Sequence, residues 1–434
     1  MEQNIERILT SLNASKSPFH VVRNIETALL EAGFEKLDEK KEYILKKGCS
    51  YFVTRNDSSI IAFKIPSKCE DFSFFGTATH NDSPTYKLKP NPFIRKGSLT
   101  LLDTEPYGGM IHSSWLDRPL SIAGRVYLQK GNEVEEKLVD IDKDLLLIPN
   151  LAIHMNRDIN NGYPYNPAVD MLPLLSSSLS EDETFVSYLS KELSLKEEEA
   201  ILSHDLYLYN RDKARLFGAR EEFLSSPKID DLASVYCALL SFLSSNNEKR
   251  MTLFASFDNE EVGSLTRQGA ASTFFRDTLL RLSSSLSFNL EEAVARSFIL
   301  SVDNAHANHP NHPEKSDQTT NVALGEGIVL KHSANQSYTT DAFGAALVKK
   351  VASLTKVPVQ EFSNRSDIRG GSTLGNLLNG QISIHSADIG LPELAMHSAN
   401  ETMAAKDLCF MVNFLTAFFE KDIHFEGEGF QVRP

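Results

Sequence analysis

Cysteine is scarce in this chain: four in 434 residues, at Cys49, Cys69, Cys237 and Cys409, scattered and without a CxxC pair. That spacing gives no disulfide framework and reads as reduced, mostly buried thiols in a reducing compartment. No segment approaches the ~20 apolar residues of a membrane span. The first residues, M-E-Q-N-I-E-R-I-L, carry acids where a signal peptide needs positive charge, and no apolar stretch follows; a cytoplasmic location is expected. Basic residues are outnumbered, 44 Lys and Arg against 58 Asp and Glu, for a net charge of −14. Such a balance argues against nucleic acid and against an anionic membrane surface as partners. It leaves room for an acidic substrate, which needs only a local basic pocket. There is no G-x-S-x-G elbow to support a serine hydrolase. G-G-S-T-L-G at 370–375 lacks the ending of a phosphate loop, although its backbone N–H groups can face a substrate. No internal repeat is visible.

What is present is an ordinary globular composition, 41% hydrophobic and 24% charged. A chain of this length suggests two or three domains and can bury a large core without a structural metal. Ile5, Ile8, Leu9 and Leu12 fall at helical spacing. A second helix starts after Ser17 with Pro18 in its first turn and stops at Gly33. Strands are expected at Tyr51–Thr54 and Ser59–Ile65, around the turn Asn56–Asp57, and at Phe72–Thr79, running into His80. From about Pro84 to Pro227 glycine and proline are frequent and strand-like pieces are short, with a hairpin about Lys130-Gly131-Asn132. This region reads as a separate, mostly β module, residues 85–226, inserted into a domain made of 1–84 and 227–434. Ser176–Glu183 reads as polar and low in complexity, and Ser283–Ser287 as a loop. From Pro227 strands and helices alternate: a helix through Leu232–Leu243, a strand Leu253–Phe257, a helix from about Leu265 and a strand Phe298–Val302. Further strands are expected at Gly327–Leu330, Val357–Phe362 and Gln381–Ser386, with helices at Ala342–Ser353 and Met403–Phe419. The fold class that follows is α/β, a mostly parallel, helix-covered sheet with an inserted β-rich domain.

One stretch stands apart. Leu253–Phe257 is apolar enough for a buried strand, and it ends in Asp258, Asn259, Glu260 and Glu261 before the small turn Gly263–Ser264. A solvated acidic turn is the ordinary explanation. Acids carried toward a core must instead be neutralised, paired or bound to a cation. Other expected strands also end in metal-ligand types: one in His80, within T-H-N-D, and one in Asp303. Asp230 and His397 come from loops. All five positions lie at the edge where a parallel sheet binds ligands, beyond the carboxyl ends of its strands. Imidazole and carboxylate suit zinc, two zinc ions ~3.5–4 Å apart need a bridging carboxylate, and Asp82 is placed to fix the His80 tautomer.

The motifs H-N-D-S-P at 80–84, P-K-I-D-D at 227–231, D-N-E-E-V-G-S at 258–264, D-N-A-H-A-N-H-P at 303–310 and E-L-A-M-H-S at 393–398 come in one order across nearly the whole chain. Together they resemble the aspartyl aminopeptidase family of cocatalytic-zinc exopeptidases. The resemblance implies two zinc ions per subunit. His80 and Asp303 would hold one, Glu261 and His397 the other, and Asp230 would bridge them. Glu260 would be the general base, taking a proton from water and returning it to the leaving amine. Where the family often reads D-N after the bridging acid, this chain has Asp230–Asp231. P-N-L-A-I-H at 149–154 matches a segment whose histidine reaches a neighbouring subunit's active site, so His154 is expected as a substrate contact in trans or as a further metal ligand. His306, Lys331 and Tyr338 match positions near the substrate pocket.

The function implied is a zinc aminopeptidase that removes an N-terminal residue, preferably Asp or Glu, from peptides, within a homo-oligomer, expected to be a dodecamer. The alternatives are another two-zinc hydrolase on the same scaffold, a deacylase or carboxypeptidase, and a non-enzymatic assembly protein.

Overall fold

The computed structural model describes residues 2–69, 72–368 and 370–433. Its largest sheet has nine strands, in the order Glu35–Leu37, Ser50–Arg55, Ser59–Lys64, Met251–Phe257, Phe74–His80, Phe298–Val302, His385–Gly390, Ile328–His332 and Val359–Ser363. The four from Met251–Phe257 to His385–Gly390 are mutually parallel, and the first pair and the last pair of the sheet are parallel as well. The remaining pairings are antiparallel. The α/β fold with a mostly parallel, helix-covered sheet is therefore what the chain adopts.

Both faces of this sheet are covered, which is why its central strands read as continuous apolar runs rather than alternating ones. Phe52, Ile60, Ala62, Phe254 and Leu300 pack on one face against the helices Pro18–Glu31, Ile229–Ser244, Ala342–Thr355 and Ala405–Glu420. Their neighbours Val53, Ile61, Leu253, Ala255 and Phe257 point the other way, onto the helices Phe274–Leu286 and Leu374–Asn379. Pro18 does open its helix after Ser17, and Gly33 follows the helix end at φ +84°. Asn56 and Asp57 both take positive φ, as a tight hairpin between Ser50–Arg55 and Ser59–Lys64 requires.

A second, antiparallel sheet of six strands runs in the order Glu133–Asp140, Leu120–Lys130, Glu199–Asn210, Thr85–Lys96, Leu99–Tyr107 and Leu174–Ser176. It has its own core around Tyr86, Trp115, Ile122, Phe185 and Leu206. Its strands are not the short pieces expected: Thr85–Lys96 and Glu199–Asn210 are each 12 residues long. Pro90 and Pro92 concealed the first of these, and its pairing shifts register between Leu88 and Phe93, where the prolines are accommodated. The strands Arg215–Phe217 and Phe223–Ser226 belong to neither sheet. They join Glu401–Ala404, Pro392–Leu394 and Ala305–His306 in a small five-stranded sheet.

Two further expectations are corrected. The helix after the acidic stretch begins at Phe274, not Leu265, because 265–273 is a run of polar turns. Ser283–Leu286 close that helix instead of forming a loop. The Ser283 and Ser284 hydroxyls each donate to the Leu280 carbonyl at 2.9 Å, which keeps serine compatible with the last turn. Likewise Met403 lies in the strand Glu401–Ala404, and the last long helix starts at Ala405. No helix among the described residues is long and apolar enough to cross a membrane.

Candidate functional site

The parallel strands deliver their chemistry to one edge. Register pairs Phe257 with His80 and Ser301 with Ala78, so His80, Asp258 and Asp303 leave the sheet side by side. After Asp258 the chain turns through Asn259, at φ +66°, into a single 3-10 turn, Glu260–Val262. The small five-stranded sheet frames the opposite side. Asp230 follows its strand Phe223–Ser226, in the first turn of the helix Ile229–Ser244, and its peptide bond to Asp231 is cis. His397 sits at φ +66° in the turn between Pro392–Leu394 and Glu401–Ala404.

These residues converge. Asp230 Oδ1 lies 3.5 Å from His80 Nε2, and Asp230 Oδ2 lies 3.3 Å from His397 Nε2. His80 Nε2 is also 4.0 Å from Asp303 Oδ1, and His397 Nε2 is 3.4 Å from Glu261 Oε1. Two groups of three result, His80–Asp230–Asp303 and Asp230–Glu261–His397, each with lone-pair atoms within 4.8 Å of one another. His80, Glu260 and Glu261 form a third such group. Asp230 Oδ1 and Glu261 Oε1 are buried and have no hydrogen-bond partner among the described residues. Acceptor-only oxygens in that state need a cation, so the donor set fits zinc, which takes imidazole and carboxylate together.

The other ring nitrogens are anchored. His80 Nδ1 faces the Asp82 backbone carbonyl at 3.1 Å and Asp82 Oδ1 at 3.4 Å, and His397 Nδ1 faces the Gly109 carbonyl at 2.6 Å. With Nδ1 donating to oxygen, Nε2 of each ring keeps its lone pair for the cluster. Asp82 does more than orient His80. Its carboxylate accepts the backbone N–H of Glu260 at 3.1 Å and of Glu261 at 3.2 Å, and the Tyr107 hydroxyl at 2.7 Å. Gly108 is needed beside this turn, since a Cβ there would stand 3.1 Å from the Glu261 Cβ, at a φ of +77°.

Burial and mutual repulsion set the charges. Burial, assisted by Asp303, Asp82 and Asp230 and opposed by His80, pushes the Glu260 carboxyl up to about 8. Burial raises Glu261 and Asp303 as well. Burial alone would also raise Asp230, but the His397 and His80 rings beside it hold it well below the usual carboxylate range. Burial works to lower both imidazoles, and the adjoining carboxylates overcome it, so His80 and His397 titrate above an ordinary histidine. Protons and a divalent cation compete for these same lone pairs.

A cleft of about 310 Å³ opens over the cluster, and its walls include His306, Lys331, Tyr338 and Ser372. All three expected substrate residues thus face one cavity. Lys331 is buried; its ammonium lies 3.6 Å from Asp303 Oδ1 and over the Tyr338 ring at 5.4 Å. Burial would depress it, but Asp303 keeps it protonated, with a pKa above that of an ordinary lysine. His154 is not brought in. Within one chain it stands exposed on a loop and belongs to none of the three groups, so the reading of it as a metal ligand finds no counterpart among the described residues. Asp231, the unexpected second acid, is buried and accepts the His80 backbone N–H at 3.3 Å. Tyr107 and Glu401 escaped the sequence reading. The first stands beside the pair Gly108–Gly109, and the second is the acid four residues after His397.

The chain is similar to known proteins along nearly its whole length. The family model described as aminopeptidase I zinc metalloprotease (M18) matches residues 11–419. The probable M18 family aminopeptidase 2 of Clostridium acetobutylicum is 41% identical over 426 residues, covering 95% of this chain and 98% of that one. Aspartyl aminopeptidase 1 of Schizosaccharomyces pombe is 38% identical over 451 residues, covering 96% and 95%. Among solved structures, the cryo-EM structure of the Ape4 and Nbr1 complex superposes with a TM-score of 0.92 at 37% identity, covering 96% of this chain and 85% of that one. The mApe1 dodecamer of S. cerevisiae superposes with a TM-score of 0.84 at 25% identity, covering 96% and 97%. The chain belongs to the M18 family of aminopeptidase I zinc metalloproteases.

Proposed function

We propose that the chain is an aminopeptidase with two zinc positions that releases an N-terminal residue, preferably Asp or Glu, from peptides. One observation carries the two-metal reading: Asp230 presents its two carboxylate oxygens to different histidines, Oδ1 to His80 and Oδ2 to His397. His80 and Asp303 would complete one position, and Glu261 and His397 the other. Bound zinc supplies Lewis acidity to the scissile carbonyl and lowers the pKa of water.

Glu260 lines the cleft beside both groups and serves as the proton carrier. It accepts a proton from the attacking water and returns it to the leaving amine nitrogen. Asp82 holds the turn that aims it. The substrate's free amine would sit among the acids, which explains a requirement for an unblocked N-terminus. His306, Lys331 and Tyr338 would line the pocket for the first side chain, with the buried Lys331 ammonium receiving an acidic one. The name of the fission yeast relative, aspartyl aminopeptidase, supports that preference.

Residues 85–226 would form the domain inserted between the parts 1–84 and 227–434, and would carry the oligomer contacts. His154 would reach a neighbouring copy's cleft. The exposure of Leu151, Ile153 and Met155 around it supports this, as does the dodecamer formed by yeast mApe1. A cytoplasmic location agrees with the few, scattered cysteines.

The test is release of Asp, Glu, Leu and Lys from aminoacyl amides, with N-acetyl-Asp amide as control, with and without a chelator. Chelator-sensitive cleavage of Asp and Glu with none of the acetylated substrate is expected. Cleavage of the acetylated substrate alone would move the chain to the deacylases.

A further inference from the structure

We propose that Glu401 is a positioning residue: it fixes Asp230 relative to His397, and so governs the metal position those two share with Glu261. The inference rests on the two-metal reading above. Glu401 is 2% exposed and opens the strand Glu401–Ala404. Its Oε2 accepts the backbone N–H of Asp230 at 3.0 Å, and its Oε1 accepts the backbone N–H of His397 at 2.7 Å. The two donors come from segments remote in sequence, the first turn of the helix Ile229–Ser244 and the tight turn that carries His397 at φ +66°. One buried carboxylate therefore joins two segments whose side chains meet at 3.3 Å.

The chemistry needs a carboxylate. Both of its oxygens accept, whereas a glutamine amide accepts with one end and donates with the other. A Gln in this place leaves one backbone N–H facing N–H, and the displaced segment carries its ligand away. Asp82 makes the same double contact to the N–H groups of Glu260 and Glu261. Asp82 and Glu401 are thus two buried acids that bond to main chain and leave the metal-facing side chains free. Glu401 does not line the cleft, so any effect on the reaction passes through its hydrogen bonds. Its neighbour Glu393 is equally buried, but its carboxylate accepts from the Asn304 amide at 3.1 Å. Glu393 is therefore the control for loss of a buried acid in the same small sheet.

The experiment strips the full-length protein, its Glu401→Gln variant and its Glu393→Gln variant with a chelator and titrates each with zinc against a chromophoric competitor. Cobalt absorption spectra are recorded in parallel. The unmodified protein should take two zinc ions. E401Q should bind zinc about 10–100-fold more weakly at the position that includes both Asp230 and His397, the usual cost of losing a partner behind a ligand, and lose less at the other, which has only Asp230 in common with it. Its cobalt spectrum should lose the contribution of one position, and excess zinc should restore kcat with KM unchanged. E393Q should keep both affinities. Equal affinities in E401Q and the unmodified protein overturn the inference alone, as do equal losses at both positions or the same loss in E393Q. A single zinc in the unmodified protein overturns the two-metal reading and takes this inference with it. Should E401Q not fold, Glu401→Asp keeps the charge but withdraws the carboxylate by one methylene. The same unequal loss, larger at the position that includes His397, is then expected, and its absence overturns the proposal.

Discussion

The Asp82 carboxylate accepts the backbone N–H of Glu260 at 3.1 Å, and this contact aims the glutamate that faces the cleft. The same carboxylate holds Glu261 and Tyr107. Asp82→Asn turns one acceptor into a donor and leaves a buried N–H unpaired. A stability loss of about 1–3 kcal/mol is expected, together with a fall in kcat larger than any change in KM. Denaturant unfolding and steady-state rates measure both. A variant with unchanged stability and kcat would show that the turn holds itself.

Glu260→Gln preserves shape and removes the proton acceptor. Metal content should stay at the level of the unmodified protein while kcat drops about 10²–10⁴-fold. Elemental analysis and amide hydrolysis on the same preparation decide it. Turnover within a few-fold of normal would assign the base elsewhere.

The large sheet was legible because its central strands are buried on both faces: M-T-L-F-A-S-F can be little else. The residues that converge at the cleft stood out for a related reason, since acids and histidines at strand ends are conspicuous after apolar runs. What escaped was held by main-chain contacts or by long-range pairing. Glu401 acts on two backbone N–H groups, one of them 171 residues away, and no spacing encodes that. Thr85–Lys96 hid behind two prolines that a register shift accommodates. The helix expected at Leu265 failed because apolar Leu265 is 85% exposed, at the start of a run of turns.

Zinc affinity should depend steeply on pH. Burial pushes Glu260 up to about 8 and raises Glu261 and Asp303, while nearby carboxylates raise His80 and His397 against their burial. Raised pKa values mean that the metal-free cluster retains protons at neutral pH, and binding zinc must expel them. Affinity therefore rises as pH climbs toward about 8 and falls in acid. Calorimetric titration in buffers of different ionisation enthalpy should show proton release at pH 7. A binding heat independent of the buffer would mean that the cluster is already deprotonated.

Lys331 supplies a buried positive charge in the wall of the cleft. Lys331→Met should lower kcat/KM for Asp amide about 10–100-fold relative to Leu amide, the worth of a charged hydrogen bond. Because Lys331 also neighbours Asp303 at 3.6 Å, zinc content is measured on the same sample. An unchanged Asp-to-Leu ratio in a fully loaded variant would remove Lys331 from the specificity pocket.

His154 lies between Ile153 and Met155, which are 47% and 71% exposed, with Leu151 at 51%. Large apolar side chains clustered in one exposed loop mark a surface that another protein surface covers. If that surface is a second copy, sedimentation at working concentration should give a large homo-oligomer. Replacing Ile153 and Met155 together by Ser should yield smaller species that keep their zinc and lose most of their kcat. His154→Ala should leave the assembly intact and lower kcat alone, which separates a contact made across the interface from a merely structural residue. Full activity in a monomeric Ile153/Met155 variant would show that each chain completes its own site and that His154 has no part in its neighbour's.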